Sequence, residues 1–524
     1  MTKLPLIRAV TALCSVCALA APVASQAQTS PLLDEQAIRQ AAVASFPDYL
    51  ALLALPNDAL VDGDHLQKNA AWLRAALSKR GFVVHEVANG GRPILFANYP
   101  ADPARKTVLF YMHFDGQPVT ASQWSQPDPF KPVLKKKGAD RKWAVVDMQQ
   151  LLRTDFDPEL RVFARASSDD KGPIMMFLAA LDLMRQQGQA PAVNVKLILD
   201  SEEEISSPGI GKAIAQEKDF VRADALIIHD GPAHASGRPT AVFGNRGVQT
   251  LTLTVFGTKA PLHSGHYGNY VPNPALNLAR LLVSMKDAQG RVIIPGYYSS
   301  TQISAADKRI LAASDDDEAA LRRRVGIAQP DQVAGNYQES LQYPSLNIRG
   351  MAAGGVGKQA ANIVPKEAVA ELDVRTTSEA NSTYLTGLIR QFIAKQGYQL
   401  LDHEPTDEER ARFPLIARLQ EGLSAEAARQ PMDAPVRRWV EQALTTAHQD
   451  GAAGKAMRPV FLRASGGTVP THEIVSPLNI PFALVTVVNA DNNQHTYDEN
   501  LRMGNYLSGM RSMLGLLTTP FPGK

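Results

Sequence analysis

The amino-acid sequence predicts an α/β protein with a mixed, mostly parallel sheet, interrupted by an inserted α+β domain. Three observations support this fold class. Several near-continuous apolar runs of strand length end abruptly in His, Asp or Glu, which is typical of strands buried on both faces. Helical segments rich in Met, Leu and Ala lie between these runs. The middle of the chain instead alternates apolar and polar residues, which is typical of half-exposed antiparallel strands.

Length and composition narrow the class of protein. The chain has 524 residues, of which 45% are hydrophobic and 20% charged, so it is long enough for two or three globular domains. Lys and Arg number 54 and Asp and Glu 52, and the formal net charge of +2 lacks the basic excess of a nucleic-acid-binding protein. We therefore expect no nucleic-acid partner.

Residues 1–27 have the layout of a secretory signal peptide. Two basic residues precede an apolar run over 9–21, and the small residues of 25–27 form a cleavage site. The run is shorter than the about 20 apolar residues of a membrane-spanning helix. No later run is long enough, so we expect a periplasmic or secreted protein with no membrane span after cleavage. Cleavage would also remove Cys14 and Cys17, so any metal site of the mature chain must use His and carboxylates.

Four apolar runs predict the strands of the main sheet. They comprise residues 108–112, 195–199, 225–228 and 482–488, and they lead to His113-Phe-Asp115, Asp200-Ser-Glu-Glu-Glu204, His229-Asp230 and His495, respectively. Residues 173–188 predict a helix that covers this sheet. Because ligands of open α/β sheets bind beyond the carboxyl ends of the strands, we expect the functional site at this edge.

The segment 247–404 predicts the inserted domain. Apolar residues alternate with polar ones at 251–255 and again at 372–374. A helix is expected to begin at Pro274 with Asn273 as its N-cap, and a second amphipathic helix is expected over 383–396. The predicted organisation is a signal segment 1–27, a main domain in two parts, 28–246 and 405–524, and the insert 247–404 between them.

Each polar site has an ordinary structural explanation when it is taken alone. His113 and Asp115 face the same side of an extended chain, where the carboxylate either orients a metal-binding imidazole or simply pairs with it. Asp169 precedes a helix, where aspartate is a common N-cap. A run such as Glu202–Glu204 is usually exposed, but after a buried strand its mutual repulsion calls for a cation. The remaining two sites also fit polar turns.

In this order, the sites together resemble the M20 family of metallopeptidases (M20/M25/M40 metallohydrolases). The shared order is His-x-Asp, Asp-x-Lys-Gly, Glu-Glu, Asp and a late His, and the resemblance runs from about residue 58 to residue 513. The sequence is most similar to the carnosine-dipeptidase-like branch, with further matches at Trp124, Asp128–Phe130, Phe243–Gly247, Leu262–Gly268, Asn362–Pro365 and Gly466–Pro470. The resemblance implies a dinuclear-zinc aminopeptidase-like catalytic domain and an inserted lid and dimerisation domain.

The resemblance also implies a site for two divalent metal ions. The expected ligands are His113 and Asp230 for one ion, Glu204 and His495 for the other, and Asp169 as the bridge between them. Zinc is the expected metal, and manganese and cobalt are alternatives for the same ligands. Two such ions would activate a water molecule for attack on an amide bond.

Further roles follow from the same resemblance. Glu203 is implied as the general base, and Asp115 as the residue that orients the metal-binding imidazole. The Glu203/Glu204 register follows from Gly209, which stands five residues after the second Glu in the family pattern. The alternative register starts at Glu202. Asp169 is the implied ligand because the family's aspartate stands two residues before the lysine.

The substrate side of the site is also implied by the resemblance. Arg375 is expected to bind a free substrate carboxylate, with Asn362 and the backbone around Gly467 and Thr468 beside it. His263 would reach the site of a neighbouring subunit and stabilise the developing oxyanion, which implies a homodimer formed through the lid. The structural alternative for Arg375 is a salt bridge within its own strand.

The predicted function is that of an exported metal-dependent hydrolase of dipeptides or short peptides with a free C-terminal carboxylate. The same ligands would serve an N-acyl-amino-acid deacylase, so this alternative stays open. A non-catalytic binding protein on the same fold is the alternative of a different class. The chain departs from the family at residues 164–166, where Ala-Arg-Ala replaces Gly-Arg-Gly, and in the long segment 131–162. The complete ligand set favours an active enzyme.

Overall fold

The computed structural model of the chain describes residues 1–2, 31–61, 64–90, 92–449 and 457–522. The predicted signal segment 1–27 lies, apart from its first two residues, outside these ranges, so its cleavage stays a prediction. Among the described helices, none is both long enough and apolar enough to cross a membrane.

The described chain forms the following strands and helices. The strands are β1 (Val83–Val87), β2 (Ile94–Asn98), β3 (Thr107–His113), β4 (Val133–Lys137), β5 (Trp143–Val145), β6 (Arg161–Phe163), β7 (Asn194–Asp200), β8 (Ala225–Ile228), β9 (Thr240–Val242), β10 (Gly244–Asn245), β11 (Gly247–Phe256), β12 (Leu262–His263), β13 (Ser345–Ala352), β14 (Ile363–Val364), β15 (Glu367–Thr376), β16 (Gln399–Leu401), β17 (Ile416–Ala425), β18 (Ala428–Arg429), β19 (Val460–Leu462), β20 (Phe482–Thr486) and β21 (Asn500–Arg502). The helices are α1 (Glu35–Leu53), α2 (Asp64–Lys79), α3 (Lys171–Gln186), α4 (Ile210–Gln216), α5 (Lys218–Val221), α6 (Ser264–Tyr267), α7 (Pro274–Met285), α8 (Ala305–Ala312), α9 (Glu318–Val325), α10 (Tyr337–Ser340), α11 (Ser382–Lys395), α12 (Asp407–Arg412), α13 (Pro435–His448), α14 (Thr471–Leu478) and α15 (Met503–Thr518).

The main domain is built on an eight-stranded sheet of order β1-β2-β7-β3-β8-β20-β9-β19. Four neighbouring pairs are parallel, namely β7 with β3, β3 with β8, β8 with β20 and β9 with β19. The other three pairs are antiparallel, which confirms a mixed, mostly parallel sheet. The four strands predicted from apolar runs are β3, β7, β8 and β20, and they are direct neighbours at the centre of the sheet.

Strand β3 shows why these runs are apolar throughout. Val108 and Phe110 belong to the core that includes helices α1, α3 and α15. Leu109 and Tyr111 belong to the core on the other face, which includes α4 and α14. Because successive side chains of a strand point to opposite faces, a strand covered on both sides needs an unbroken apolar run. The helix predicted over 173–188 is α3, which packs between α1 and α15 on one of these faces.

The inserted domain has its own five-stranded sheet of order β13-β15-β11-β17-β16, covered by helices α7 and α11. The alternating segments 251–255 and 372–374 lie in the antiparallel pair β11 and β15, as predicted. The predicted N-cap of α7 is also present, because the Asn273 side chain accepts a hydrogen bond from the Ala275 N–H. The core of this domain is separate from the two cores of the main domain.

The inserted domain was predicted to end at residue 404, but strand β17 shows that it ends later. Its residues 416–425 pair with β11 in the centre of the lid sheet. The insert therefore extends to about residue 425, and the assignment of 405–425 to the main domain was wrong. The reason is that β17 joins the sheet through a contact with a distant segment, whereas its own sequence carries no strong apolar alternation.

A small four-stranded sheet of order β21-β6-β4-β5 holds the long segment 131–162 in place. Phe163 at the end of β6 is paired with Asn500 at the start of β21. This antiparallel pairing brings the loop 164–169 next to Glu499, the residue before β21. One of the predicted metal ligands, Asp169, lies at the end of this loop.

Candidate metal centre

The five predicted metal ligands lie at one edge of the main sheet. His113 is the last residue of β3, and Asp230 follows β8. Glu204 lies in a short 3₁₀ turn after β7. His495 lies in the loop after β20, and Asp169 lies in the loop before α3. Because β7, β3, β8 and β20 are parallel neighbours, their carboxyl ends bring these side chains together.

The ligand side chains form two overlapping groups. His113 Nε2 lies 2.9 Å from Asp169 Oδ1 and 4.0 Å from Asp230 Oδ2. His495 Nε2 lies 3.2 Å from Asp169 Oδ2 and 3.3 Å from Glu204 Oε2. Within each group the donor atoms lie within 4.8 Å of one another, and Asp169 belongs to both groups. The structure thus groups these residues in the same two sets that the family resemblance implies.

The donor set of this centre fits two divalent cations. Four carboxylates converge here, from Asp169, Glu203, Glu204 and Asp230. In the described part of the chain, their ion pairs are made only by the imidazoles of His113 and His495. Asp169 Oδ2 is buried and accepts no well-aligned hydrogen bond from any described residue. Buried carboxylates at this density are costly without a compensating cation, and imidazole with carboxylate is a donor set that zinc, manganese and cobalt share.

Burial and mutual repulsion favour protonation of several of these groups. Burial and the charge of Asp169 raise the pKa of Glu204 to about 8 and the pKa of Asp230 to about 6. Close contact with the Asp169 carboxylate raises the pKa of His495 to about 9. Metal binding requires deprotonated carboxylates and imidazoles. Cations that bind here must therefore expel protons.

The metal affinity of the protein is expected to rise between pH 6 and pH 9. In this window the pKa values of Asp230, Glu204 and His495, about 6, 8 and 9, are passed in turn, and each lost proton frees a ligand. These folded-state pKa values are raised, so metal-depleted protein loses stability as the pH increases. Added metal should therefore raise Tm most at alkaline pH. Thermal melts and calorimetry measure this, and a metal-induced Tm shift independent of pH would contradict it.

Asp115 connects the two strand ends that carry the centre. His113 Nδ1 lies 3.1 Å from Asp115 Oδ1. The backbone N–H groups of Glu203 and Glu204 donate to the same carboxylate at 3.2 and 3.0 Å. One carboxylate thus orients the imidazole and fixes the glutamate turn. Asp170, the neighbour of Asp169, instead accepts a hydrogen bond from the backbone N–H of His113 at 3.2 Å.

The three consecutive glutamates have different surroundings. Glu202 Oε2 accepts a hydrogen bond from the Gly209 N–H at 2.9 Å. Glu203 and Glu204 line a pocket beside the metal centre. Burial raises the pKa of Glu203 well above its usual value, and the charge of Asp230 adds to this increase. Glu203 and Glu204 thus face the pocket, whereas the carboxylate of Glu202 contacts the backbone.

A cleft of about 1350 Å³ lies in front of the metal centre. Its lining includes Asp169, Asp230 and His495 of the centre and, on the substrate side, Arg375, Gly467 and Thr468. Arg375 Nη1 donates to Thr468 Oγ1 at 3.0 Å, and its Nε lies 3.3 Å from Asp373 Oδ1. The arginine thus faces the cleft and also makes the ion pair within its strand.

His263 and Asn362 lie on an exposed part of the lid and do not line this cleft. β12, which ends at His263, pairs with β14, and the Ser264 N–H donates to the Asn362 carbonyl at 2.9 Å. His263 Nδ1 accepts the N–H of Gly265 at 3.1 Å. Within one described chain, these two predicted residues are adjacent to each other but are not brought to the metal centre.

Glu499 is a buried residue of the centre that the sequence alone did not indicate. Its carboxylate accepts hydrogen bonds from Arg165 Nη1 at 2.8 Å, the Ala166 N–H at 2.9 Å, the Ser168 N–H and hydroxyl at 2.9 Å each, and the Asp169 N–H at 3.0 Å. These bonds fix the backbone of Asp169, the residue that both ligand groups share. In the sequence, Glu499 is only an acidic residue in a polar loop, and the pairing of β6 with β21 brings it to its partners.

The hydrogen bonds of this loop explain how Ala-Arg-Ala at residues 164–166 can replace the family's Gly-Arg-Gly. Ala166 has a φ of 60°, in the left-handed region that favours glycine. Its N–H donates to Glu499 Oε2, and Arg165 donates to the same oxygen. The carboxylate of Glu499 therefore holds an alanine in the backbone conformation for which the family usually has glycine.

The matching family model and two sequence relatives all belong to peptidases. A family model described as Peptidase family M20/M25/M40 matches residues 109–519. The Cys-Gly metallodipeptidase dug1 of Schizosaccharomyces pombe is 26% identical over 371 residues, which cover 69% of this chain and 73% of the relative. The Beta-Ala-His dipeptidase of Mus musculus is 24% identical over 433 residues, which cover 80% of this chain and 78% of the relative.

Solved structures share the fold. The M20 family metallo-carboxypeptidase Sso-CP2 of Sulfolobus solfataricus matches with a TM-score of 0.72 at 23% identity, over 90% of this chain and 98% of that one. Human carnosine dipeptidase 1 matches with a TM-score of 0.69 at 19% identity, over 93% of this chain and 98% of that one. These likenesses confirm the predicted α/β catalytic domain with an inserted lid domain.

Proposed function

The chain belongs to peptidase family M20/M25/M40 and is a hydrolytic enzyme of the peptidase type, and on this basis we propose that it is an exported, metal-dependent dipeptidase. Its proposed substrates are dipeptides and short peptides with a free C-terminal carboxylate. The observation that carries the proposal is the pair of ligand groups that share Asp169, at the head of a cleft that also contains Arg375. The dipeptidase names of two relatives support it.

The proposed metal ligands divide into two sets around one bridge. His113 and Asp230 would hold one ion, Glu204 and His495 would hold the second, and Asp169 would contact both. Such ions, when bound, polarise a carbonyl group and lower the pKa of water. The chain supplies the geometry, because Asp115 fixes one imidazole and Glu499 fixes the backbone of the bridge.

Glu203 is the proposed general base. Its carboxylate lines both the cleft and the small pocket beside the centre, and it belongs to neither ligand group. Burial and the charge of Asp230 raise its pKa, which favours acceptance of a proton near neutral pH. It would take a proton from the attacking water and pass it to the nitrogen of the leaving amine.

Arg375 is the proposed anchor for the free carboxylate of the substrate. A guanidinium presents two parallel N–H groups that match the two oxygens of a carboxylate. The bond to the Thr468 hydroxyl holds this side chain at the cleft wall, with the backbone of Gly467 beside it. An internal peptide bond of a protein has no free carboxylate at this distance, so the anchor would select short substrates.

A panel of dipeptides beside the matching N-acyl amino acids tests the proposed function. We expect hydrolysis of dipeptides such as Cys-Gly and β-Ala-His, loss of turnover on chelation, and recovery on addition of zinc, manganese or cobalt. Preferential hydrolysis of the N-acyl amino acids would instead support a deacylase. Purified protein with neither bound metal nor turnover would support a non-catalytic binding protein.

We further propose that the enzyme is a homodimer in which the lid of one subunit completes the site of the other. His263 and Asn362 are exposed, adjacent and separate from the cleft of their own chain, which supports a role in a second subunit. Ile348 and Met351 are exposed on β13, the edge strand of the lid sheet, and provide apolar surface that a dimer would bury.

Mixing two inactive variants is expected to restore activity if His263 acts across the dimer. His263→Ala would inactivate the site of the partner subunit, whereas Glu203→Gln would inactivate the site of its own subunit. Unfolded together and refolded as an equal mixture, they should recover roughly a quarter of the wild-type activity, because half of the dimers are mixed and each mixed dimer has one intact site. Native mass spectrometry with one variant carrying an affinity tag would establish that mixed dimers form. If the mixed dimers formed but showed no activity, the composite site would be excluded.

The export of the enzyme is proposed from residues 1–27, and thiol titration offers a direct test. Both cysteines of the chain lie in this segment, so the cleaved enzyme would contain no thiol. Denatured mature protein from the bacterial periplasm should not react with a thiol reagent, and its mass should correspond to a start near residue 28. A full-length mass together with two reactive thiols would contradict the proposal.

A further inference from the structure

A small pocket branches from the cleft beside the metal centre. Its volume is about 120 Å³. Glu203, His495 and Thr468 line both the pocket and the cleft. Because Thr468 is also the residue that Arg375 contacts, the pocket opens between the metal centre and the proposed carboxylate anchor. Its wall includes Glu473, on the first turn of α14.

The position of this pocket determines which part of a substrate it would receive. In the proposed function, the scissile carbonyl lies at the metal centre and the free carboxylate lies at Arg375 and Thr468. The α-carbon of the C-terminal residue must lie between these two groups, so its side chain points towards the pocket. A cavity of about 150 Å³ holds one benzene ring, so this pocket has room for a single side chain of moderate size.

Glu473 gives the wall of the pocket a carboxylate oxygen without a partner. Its Oε2 is buried and accepts no hydrogen bond from the described residues. In the described chain Glu473 forms no ion pair, and the neighbouring Glu426 carries the same charge. Glu426 instead accepts a hydrogen bond from the Ser382 hydroxyl at 2.6 Å. A buried carboxylate oxygen without a donor is costly, and a ligand that supplies a donor recovers that cost.

We propose that Glu473 makes the enzyme select substrates whose C-terminal residue carries a basic side chain, such as lysine. The selectivity rests on the proposed function, because it assumes a substrate carboxylate at Arg375. The ammonium group would donate to the Glu473 carboxylate, and Gln117 and Ser206 add polar groups to the same wall. An acidic side chain would be repelled by the carboxylate, and a large aromatic side chain would exceed the pocket.

A matched set of dipeptides tests this selectivity. The wild-type kcat/KM for Ala-Lys should exceed that for Ala-norleucine, which has a side chain of similar length without the charge, by about tenfold, or ~1.4 kcal/mol. In Glu473→Gln the ratio should fall towards one, because the amide fills the same space without a charge. In Glu473→Lys the preference should move to Ala-Glu.

Glu441→Gln is the matched control, because it removes an equivalent carboxylate from an ion pair with Arg437 on α13. This variant should keep the wild-type ratio. A wild-type ratio near one, or an unchanged ratio in Glu473→Gln, would overturn the selectivity. If Ala-Gly were hydrolysed but Ala-Lys and Ala-norleucine had equal kcat/KM values, only the selectivity would be overturned. If no dipeptide were hydrolysed, both the selectivity and the proposed function would be overturned.

Discussion

Replacing Glu203 with glutamine is expected to remove nearly all turnover while both metal positions stay filled. The amide has the same size as the carboxylate but cannot accept a proton from water. A general base contributes about 10²- to 10⁴-fold to the rate, so kcat should fall by a factor in this range. The metal content should not change, because Glu203 belongs to neither ligand group. Steady-state kinetics and elemental analysis of the purified variant measure the two effects.

Glu202→Gln provides the matched control for this variant. Glu202 is the adjacent residue, but its carboxylate accepts the Gly209 N–H and lies outside both ligand groups. It should keep most of the wild-type kcat. Wild-type turnover in Glu203→Gln would reject Glu203 as the base. Loss of metal from that variant would show instead that Glu203 is a ligand.

Replacing Glu499 with glutamine is expected to weaken metal binding by about 10- to 100-fold, the usual effect of removing a group that orients a ligand. The carboxylate accepts five hydrogen bonds from the loop 164–169, including the N–H of Asp169. The amide nitrogen of glutamine would replace one acceptor oxygen by a group with two N–H donors. These donors would face the N–H groups of the loop, which would lose their acceptor. Each buried donor left without a partner costs about 1–3 kcal/mol, so the free energy of unfolding should also fall. Chelator competition measures the affinity, and denaturant unfolding measures the stability.

Asp182→Asn separates the effect on the metal from a general loss of stability. Asp182 forms an ion pair with the buried Arg80 far from the metal centre, so its removal should lower the stability without changing the metal affinity. If Glu499→Gln lowered the stability but kept the wild-type affinity, Glu499 would stabilise the loop without positioning Asp169. If it changed neither quantity, the hydrogen bonds of Glu499 would contribute nothing measurable.

The central strands and the ligand types could be predicted because their signals are local. β3, β7 and β8 are largely apolar runs, since each is buried on both faces. β3 ends at the candidate ligand His113, and the candidate ligands Glu204 and Asp230 follow shortly after β7 and β8. The spacing of His113 and Asp115 predicted that the two side chains would lie on one side of the chain, and they lie 3.1 Å apart. The N-cap Asn273 was equally local, because its partner is two residues away.

The second boundary of the insert and the role of Glu499 could not be predicted in this way. β17 has five exposed residues in succession, so its alternation is weak, and only its pairing with β11 assigns it to the lid. Glu499 lies more than 300 residues from the loop that it holds. No local pattern distinguishes it from an exposed acidic residue of a polar turn.

The sequence by itself determined the fold class and the edge of the sheet at which its polar strand ends gather, whereas the ligand set came from the resemblance to the M20 family. Those features depend on the two-residue period of a strand and on the rule that parallel strands end at one edge. The tertiary structure alone decided that Glu499 holds the backbone of Asp169 and that Glu473 faces a pocket beside the centre. Each of these contacts joins segments far apart in the chain, and such contacts are set by the packing of whole domains.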